Sequence, residues 1–161
     1  MAVLAFAVVC WPGCWRELCR GERLAPAVWR RAVMIVPDTK DWTWVLERPC
    51  PECGLDTQGF VRDAIAGMIS RNARQWQEVL AGPGDAARRP SPGTWSAPGY
   101  ACHVRDVLRL YDERLVLMLM TGGPRYPNWD QDATAVAGRY AEQDPARVAA
   151  DLRDAAGVGD C

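Results

Sequence analysis

The stretch from Pro92 to Pro124, PGTWSAPGYACHVRDVLRLYDERLVLMLMTGGP, decides the fold. Ser96 is a good helix N-cap, because its hydroxyl can accept a backbone N–H of the first turn that has no intrahelical partner. Pro98 falls in that first turn, where a missing N–H costs no hydrogen bond. The helix so predicted runs to about Met120. It places Tyr100, His103, Val107, Leu110, Leu117 and Met120 on or near one face. Thr121, Gly122, Gly123 and Pro124 end it.

Working outward, an earlier helix is predicted over about Thr57 to Leu80, where Ile65, Met68, Ile69, Trp76 and Leu80 recur at three- and four-residue steps. Gly82, Pro83 and Gly84 stop it. A polar, proline-rich loop then leads to Trp95. After α-helical residue patterns end at Met120, a loop holding Tyr126 and Trp129 precedes a short helical piece from Asp132 to Tyr140. The last helix has Asp144 as cap, Pro145 at its first position and Gly157 just past its end, the expected asymmetry of helix termini. Its apolar face is thin, with only Val148 and Leu152 of substantial size. Residues 34 to 56 lack a helical period, contain three prolines and read as an irregular N-terminal arm. No strand-like alternation of useful length occurs, so the fold class is all-α.

The 161 residues amount to about one domain, with 49% hydrophobic and 24% charged residues and a net charge of -1. Such a balance offers no global attraction to nucleic acid or to an anionic membrane. Seven cysteines are too scattered for a disulfide framework and point to a reducing cytoplasm. Residues 1 to 33 differ from the rest: they hold three of eight tryptophans and carry five arginines against Glu17 and Glu22. No basic residue precedes the apolar run Ala2 to Val9, which argues against a secretory signal, and the run is well short of the roughly 20 residues that cross a bilayer. The expectation is an atypical extension over 1–33, with Met34 as the natural start, a helical domain over 34–156 and an unrelated tail over 157–161.

The segment PGTWSAPGYACHVRD, from Pro92 to Asp106, resembles the second-helix motif of the DinB-like family, which includes the mycothiol-dependent maleylpyruvate isomerase type. The arm DTKDWTWVLERPCPECG and the segment NWDQDATAVAGRYAEQDP also look like a subgroup of that family, in the same order. The resemblance implies an up-down four-helix bundle holding a divalent metal, Zn or Ni, with His103 as a ligand. It implies an S-transferase or hydrolase type of enzyme that joins a low-molecular-weight thiol to an electrophile. The metal would lower the thiol's pKa, and the thiolate would attack an electrophilic carbon. Two departures stand out. Gly99 occupies the position where the family often has a capping-box Glu. The family's two further histidines, on its last helix, have no counterpart here, since His103 is the only histidine. The expectation is a bundle without its fourth helix, impaired in metal binding and prone to self-association. The alternative is a non-catalytic helical remnant or interaction module without bound metal.

Asp106 lies one turn beyond His103 and reads either as a metal ligand or orienting carboxylate, or as a solvated acid. Cys50-Pro-Glu-Cys53 could form half a zinc site or a redox pair, although no second pair lies downstream, and a plain loop is the simpler reading. Trp42, Trp44, Trp76, Trp95 and Trp129 raise the idea of ligand stacking; for Trp95 and Trp76 packing is the better reading. Arg88, Arg89 and Arg105 could meet an anionic cofactor, but solvated surface is expected. Gly122-Gly123-Pro124 is a helix stop, because no Lys-Ser/Thr follows to hold phosphate.

Overall fold

The computed structural model describes residues 43–51, 54–91 and 93–157. The extension 1–33, Trp42, Cys53 and the tail from Val158 lie outside the described residues. Within them the chain is helical and bundle-like, without a strand.

A short 3-10 helix, Thr43–Leu46, opens the described chain, and its Val45 is fully buried. The arm then turns at Cys50, whose N–H donates to the Leu55 carbonyl at 2.8 Å while its own carbonyl accepts from Gly54 at 2.8 Å. Helix α1 (Ile65–Leu80) begins after a 3-10 turn at Arg62–Ala64, later than the residue spacing predicts. The residues before it are tied to the arm instead. Thr57 donates its hydroxyl to the Val45 carbonyl at 2.6 Å, and the Gln58 amide reaches the carbonyls of Leu46 and Glu47 at 3.3 and 3.1 Å. From α1 the side chains of Asn72, Ala73, Trp76 and Leu80 are buried. Ile65, Met68 and Ile69 are only half-buried.

Helix α2 (Ala97–Met120) starts as expected: Ser96 is extended and its hydroxyl accepts from Gly99 N at 3.4 Å. Gly99 has a local reason here. A Cβ on it would lie 3.1 Å from the Trp95 Cβ and 3.4 Å from its Cγ, so glycine lets Trp95 lie over the first turn. The predicted apolar face of α2 is buried only over its first half, through Leu108. Leu117 and Met120, expected on the buried face, are exposed.

Helix α3 (Gln131–Ala137) is capped by Asp130, which accepts from Asp132 N and Ala133 N at 3.0 and 2.9 Å. A 3-10 turn, Tyr140–Glu142, leads to α4 (Pro145–Ala155), capped by Asp144 through Arg147 N at 2.8 Å. Gly157, just past its end, takes the left-handed conformation at φ 64° that terminates helices at low cost. The thin face of α4 suffices: Val148 and Leu152 are fully buried and join Trp76, Leu80, Ala97, Ala101, Cys102, Val104, Leu108 and Tyr140 in one core cluster. Packed on both α2 and α1, α4 holds the other two helices together. No described helix is long and apolar enough to cross a membrane.

Candidate functional site

His103 lies in the buried half of α2, 5% exposed. Its imidazole is walled by two indoles. Trp129, from the loop after α2, stacks on it with ring centroids 5.4 Å apart and planes 20° apart. Trp95, from the loop before α2, packs at 5.6 Å and 45°. Trp95 also contacts the rings of Tyr100 at 5.2 Å and Tyr140 at 5.9 Å, so it is the packing anchor expected of it. Burial pushes the His103 pKa down from 6.5 to about 4, opposed in part by the carboxylate of Asp106. The ring is therefore neutral at physiological pH, with a lone pair for a ligand. Its Nδ1 is buried and has no hydrogen-bond partner. An orphaned polar atom of this kind costs about 1–3 kcal/mol; the Asn72 amide, Trp76 Nε1 and Arg114 Nε share this state.

Asp106 is neither solvated nor free to ligate. Its Oδ1 accepts from Arg105 Nε at 2.7 Å, and its Oδ2 accepts from Arg105 Nη2 at 3.1 Å and from the Tyr140 hydroxyl at 2.5 Å. Arg105 itself corrects the expectation of solvated surface, because its side chain is 7% exposed. It lies along the side of α2 that faces α4, where Gln143 Oε1 accepts from Nη1 at 2.8 Å and Asp151 comes within 3.8 Å. Neutralised on two sides, the guanidinium can be buried. Cys102 belongs to the same group of residues: it donates to Gln143 Oε1 at 3.3 Å, and burial pushes its thiol up to about 11, well away from a reactive thiolate. Burial, reinforced by donation to Asp106, likewise raises the Tyr140 hydroxyl. The cluster is a polar clasp between α2 and α4, and it adjoins the His103 site through Tyr140 and Trp95.

Other expected residues fall elsewhere. Arg88 is exposed; Arg89 donates to the Thr94 carbonyl at 2.7 Å and braces the loop before α2. Trp76 is fully buried in the core, and Trp44 carries Arg48 over its ring at 5.1 Å. Cys50 is buried and free, and Cys53 lies outside the described residues. Among the described residues no group of three or more His, Cys, Asp or Glu side chains is placed to hold a metal ion. His103 fits a metal as a single neutral donor, but the described residues do not complete a site: the neighbouring carboxylate is spent on Arg105 and Tyr140. The residue-level reading missed Tyr140 and Gln143, the partners that decide the roles of Asp106 and Arg105. Both come from a connecting segment, where periodicity carries no signal. No family model, curated protein or solved structure matches the chain.

Proposed function

We propose that this is a DinB-like helical protein whose functional group is the imidazole of His103, one ligand of a divalent Zn or Ni site serving thiol-transfer or hydrolase chemistry. The observation that supports it is the buried, neutral histidine with an unpartnered Nδ1, set between two tryptophans on the helix that the family resemblance picks out. The described residues offer His103 no second ligand, because Asp106 is committed to the clasp. Catalytic zinc sites take three protein ligands and keep an open position, so the described residues alone give weak binding. Metal content is the direct test. Purified protein carrying stoichiometric Zn or Ni that is lost in His103→Ala supports the reading; metal-free protein indifferent to added Zn or Ni overturns it.

A second reading rests on a different observation. Leu115 to Met120, at the end of α2, are all exposed, from 39% at Leu117 to 81% at Met120. Contiguous apolar surface of this kind marks interaction sites. On this reading the chain is a non-catalytic helical module that self-associates through the α2 end. A mass that rises with concentration in the metal-free protein, and stays monomeric in Leu119→Glu, supports it; a monomer at all concentrations removes it.

A further inference from the structure

The exposed run Leu115 to Met120 occupies about 9 Å of α2 and more than one full turn, so it is apolar on every side. A helix that is apolar all round is normally enclosed. A flat partner covers one side of such a helix, whereas a groove between two helices covers opposite sides. The bundle carries a groove of this kind, of about 520 Å³, between the end of α1 and α4. Leu80 and Ala81 line it from α1, and Ala146, Ala149 and Ala150 line it from α4. It opens to solvent at Ala81 and Ala146, which are both exposed. The alanines leave room that larger side chains would fill. Within one molecule the two surfaces do not meet, since the run stays exposed.

Charge sets the direction in which the run fits the groove. Asp112 and Glu113 precede the run and Arg125 follows the turn at its tip, all three exposed. The groove has Asp144 at one end and Arg153 at the other, about 13 Å apart along α4. Glu113 and Met120 are about 10 Å apart along α2, a comparable span. Laid antiparallel to α4, the run brings Glu113 to Arg153 and Arg125 to Asp144. Laid parallel, it sets like charges against each other at both ends, which interfaces avoid.

We infer that the α2 end of one copy inserts into the groove between α1 and α4 of a second copy, antiparallel to α4. The inference rests on the second reading above, that the chain self-associates through the α2 end, and it names the surface that receives that end. The contact is heterologous: each copy gives one helix end and offers one groove, so assembly continues past a pair or closes into a ring. An α2 end packed on another α2 end would instead use the same patch on both copies.

Sedimentation equilibrium across a concentration series, with chelator present, tests the pairing. Leu119→Glu puts a charge on the inserted end, and Ala146→Glu puts one in the groove near the start of α4, where an acidic residue suits the helix. Each weakens association at least about tenfold. An equimolar mixture of the two recovers it and stops at a 1:1 pair, because the intact end of the Ala146→Glu chain still finds the intact groove of the Leu119→Glu chain. Circular dichroism confirms that the variants remain folded, and should Ala146→Glu unfold, Ala81→Glu on the opposite wall replaces it in the mixture. Arg153→Glu weakens association about two- to fivefold, and Glu113→Arg added to it restores the wild-type value; a double variant no stronger than Arg153→Glu overturns the antiparallel seating. Wild-type association by the groove variants, with Leu119→Glu monomeric, overturns the groove and keeps the self-association reading. A wild-type chain that is monomeric throughout removes both.

Discussion

Protonation of His103 is unfavourable in the fold because both walls of its pocket are aromatic and the ring is almost wholly removed from water. Unfolded, an imidazole takes up its proton near 6.5; folded, this one does so only near 4. Between those values the unfolded chain binds more protons, so stability rises with pH across the window. The contribution is complete above about 6.5 and is lost as pH falls toward 4. Its size is on the order of 3 kcal/mol. Chelator-treated protein unfolded by urea should therefore lose most of that amount between pH 7 and pH 4.5. His103→Gln should lose distinctly less over the same range, since carboxylates titrate equally in both. Parallel pH profiles for the two proteins would show that the imidazole is not desolvated. The stacking was not legible at this position. The helix pattern put His103 on an apolar face, but the indoles that enclose it come from loops on either side of α2.

The turn between α3 and α4 shows how one element aims a side chain at another. Arg139 is in the left-handed region at φ 49°, ψ 48°, and a Cβ on Gly138 would lie 2.9 Å from Tyr140 Cε1. Together they fold the Tyr140 ring back so that its hydroxyl meets Asp106. Tyr140→Phe should cost about 1.5–3 kcal/mol, the range for a hydrogen bond to a charged group. Gly138→Ala should cost about 1–3 kcal/mol through crowding. If the alanine acts by displacing the ring, the double variant costs clearly less than the sum in urea denaturation; strict additivity would mean that Gly138 serves something else. The helix caps at Ser96 and Asp144 and the stop at Gly157 were readable from sequence, because each is satisfied within one turn of chain. The clasp was not. Arg105 read as a surface charge and Asp106 as either a metal ligand or a solvated acid, and only the packing of α4 against α2 brings Tyr140, Gln143 and Asp151 to them. For the same reason the start of α1 was placed too early: its would-be first turn is held by Val45, Leu46 and Glu47, 11 or 12 residues away.

Across the molecule, burial is concentrated where α1, α2 and α4 meet and falls away along the second half of α2. Leu152 is fully buried in the shared core, whereas Leu119 and Met120 are 78% and 81% exposed. Leucine thus does opposite things at the two places. Removing the Leu152 side chain takes packing from α1 and α2 together and should cost about 2–5 kcal/mol as Leu152→Ala. Charging the α2 end as Leu119→Glu with Met120→Glu should leave stability within about 0.5 kcal/mol, since both side chains are largely exposed. It should also reduce the fluorescence of an apolar dye such as anilinonaphthalene sulfonate, because Leu115 to Met120 form an unbroken run of exposed apolar residues. Sequence patterning treats α2 as one continuous amphipathic helix, since period alone does not reveal how far a neighbour extends along it. The two variants separate pattern from packing. If the glutamate pair destabilises the chain as much as Leu152→Ala does, the α2 end is covered in solution; if only dye binding falls, it stands free.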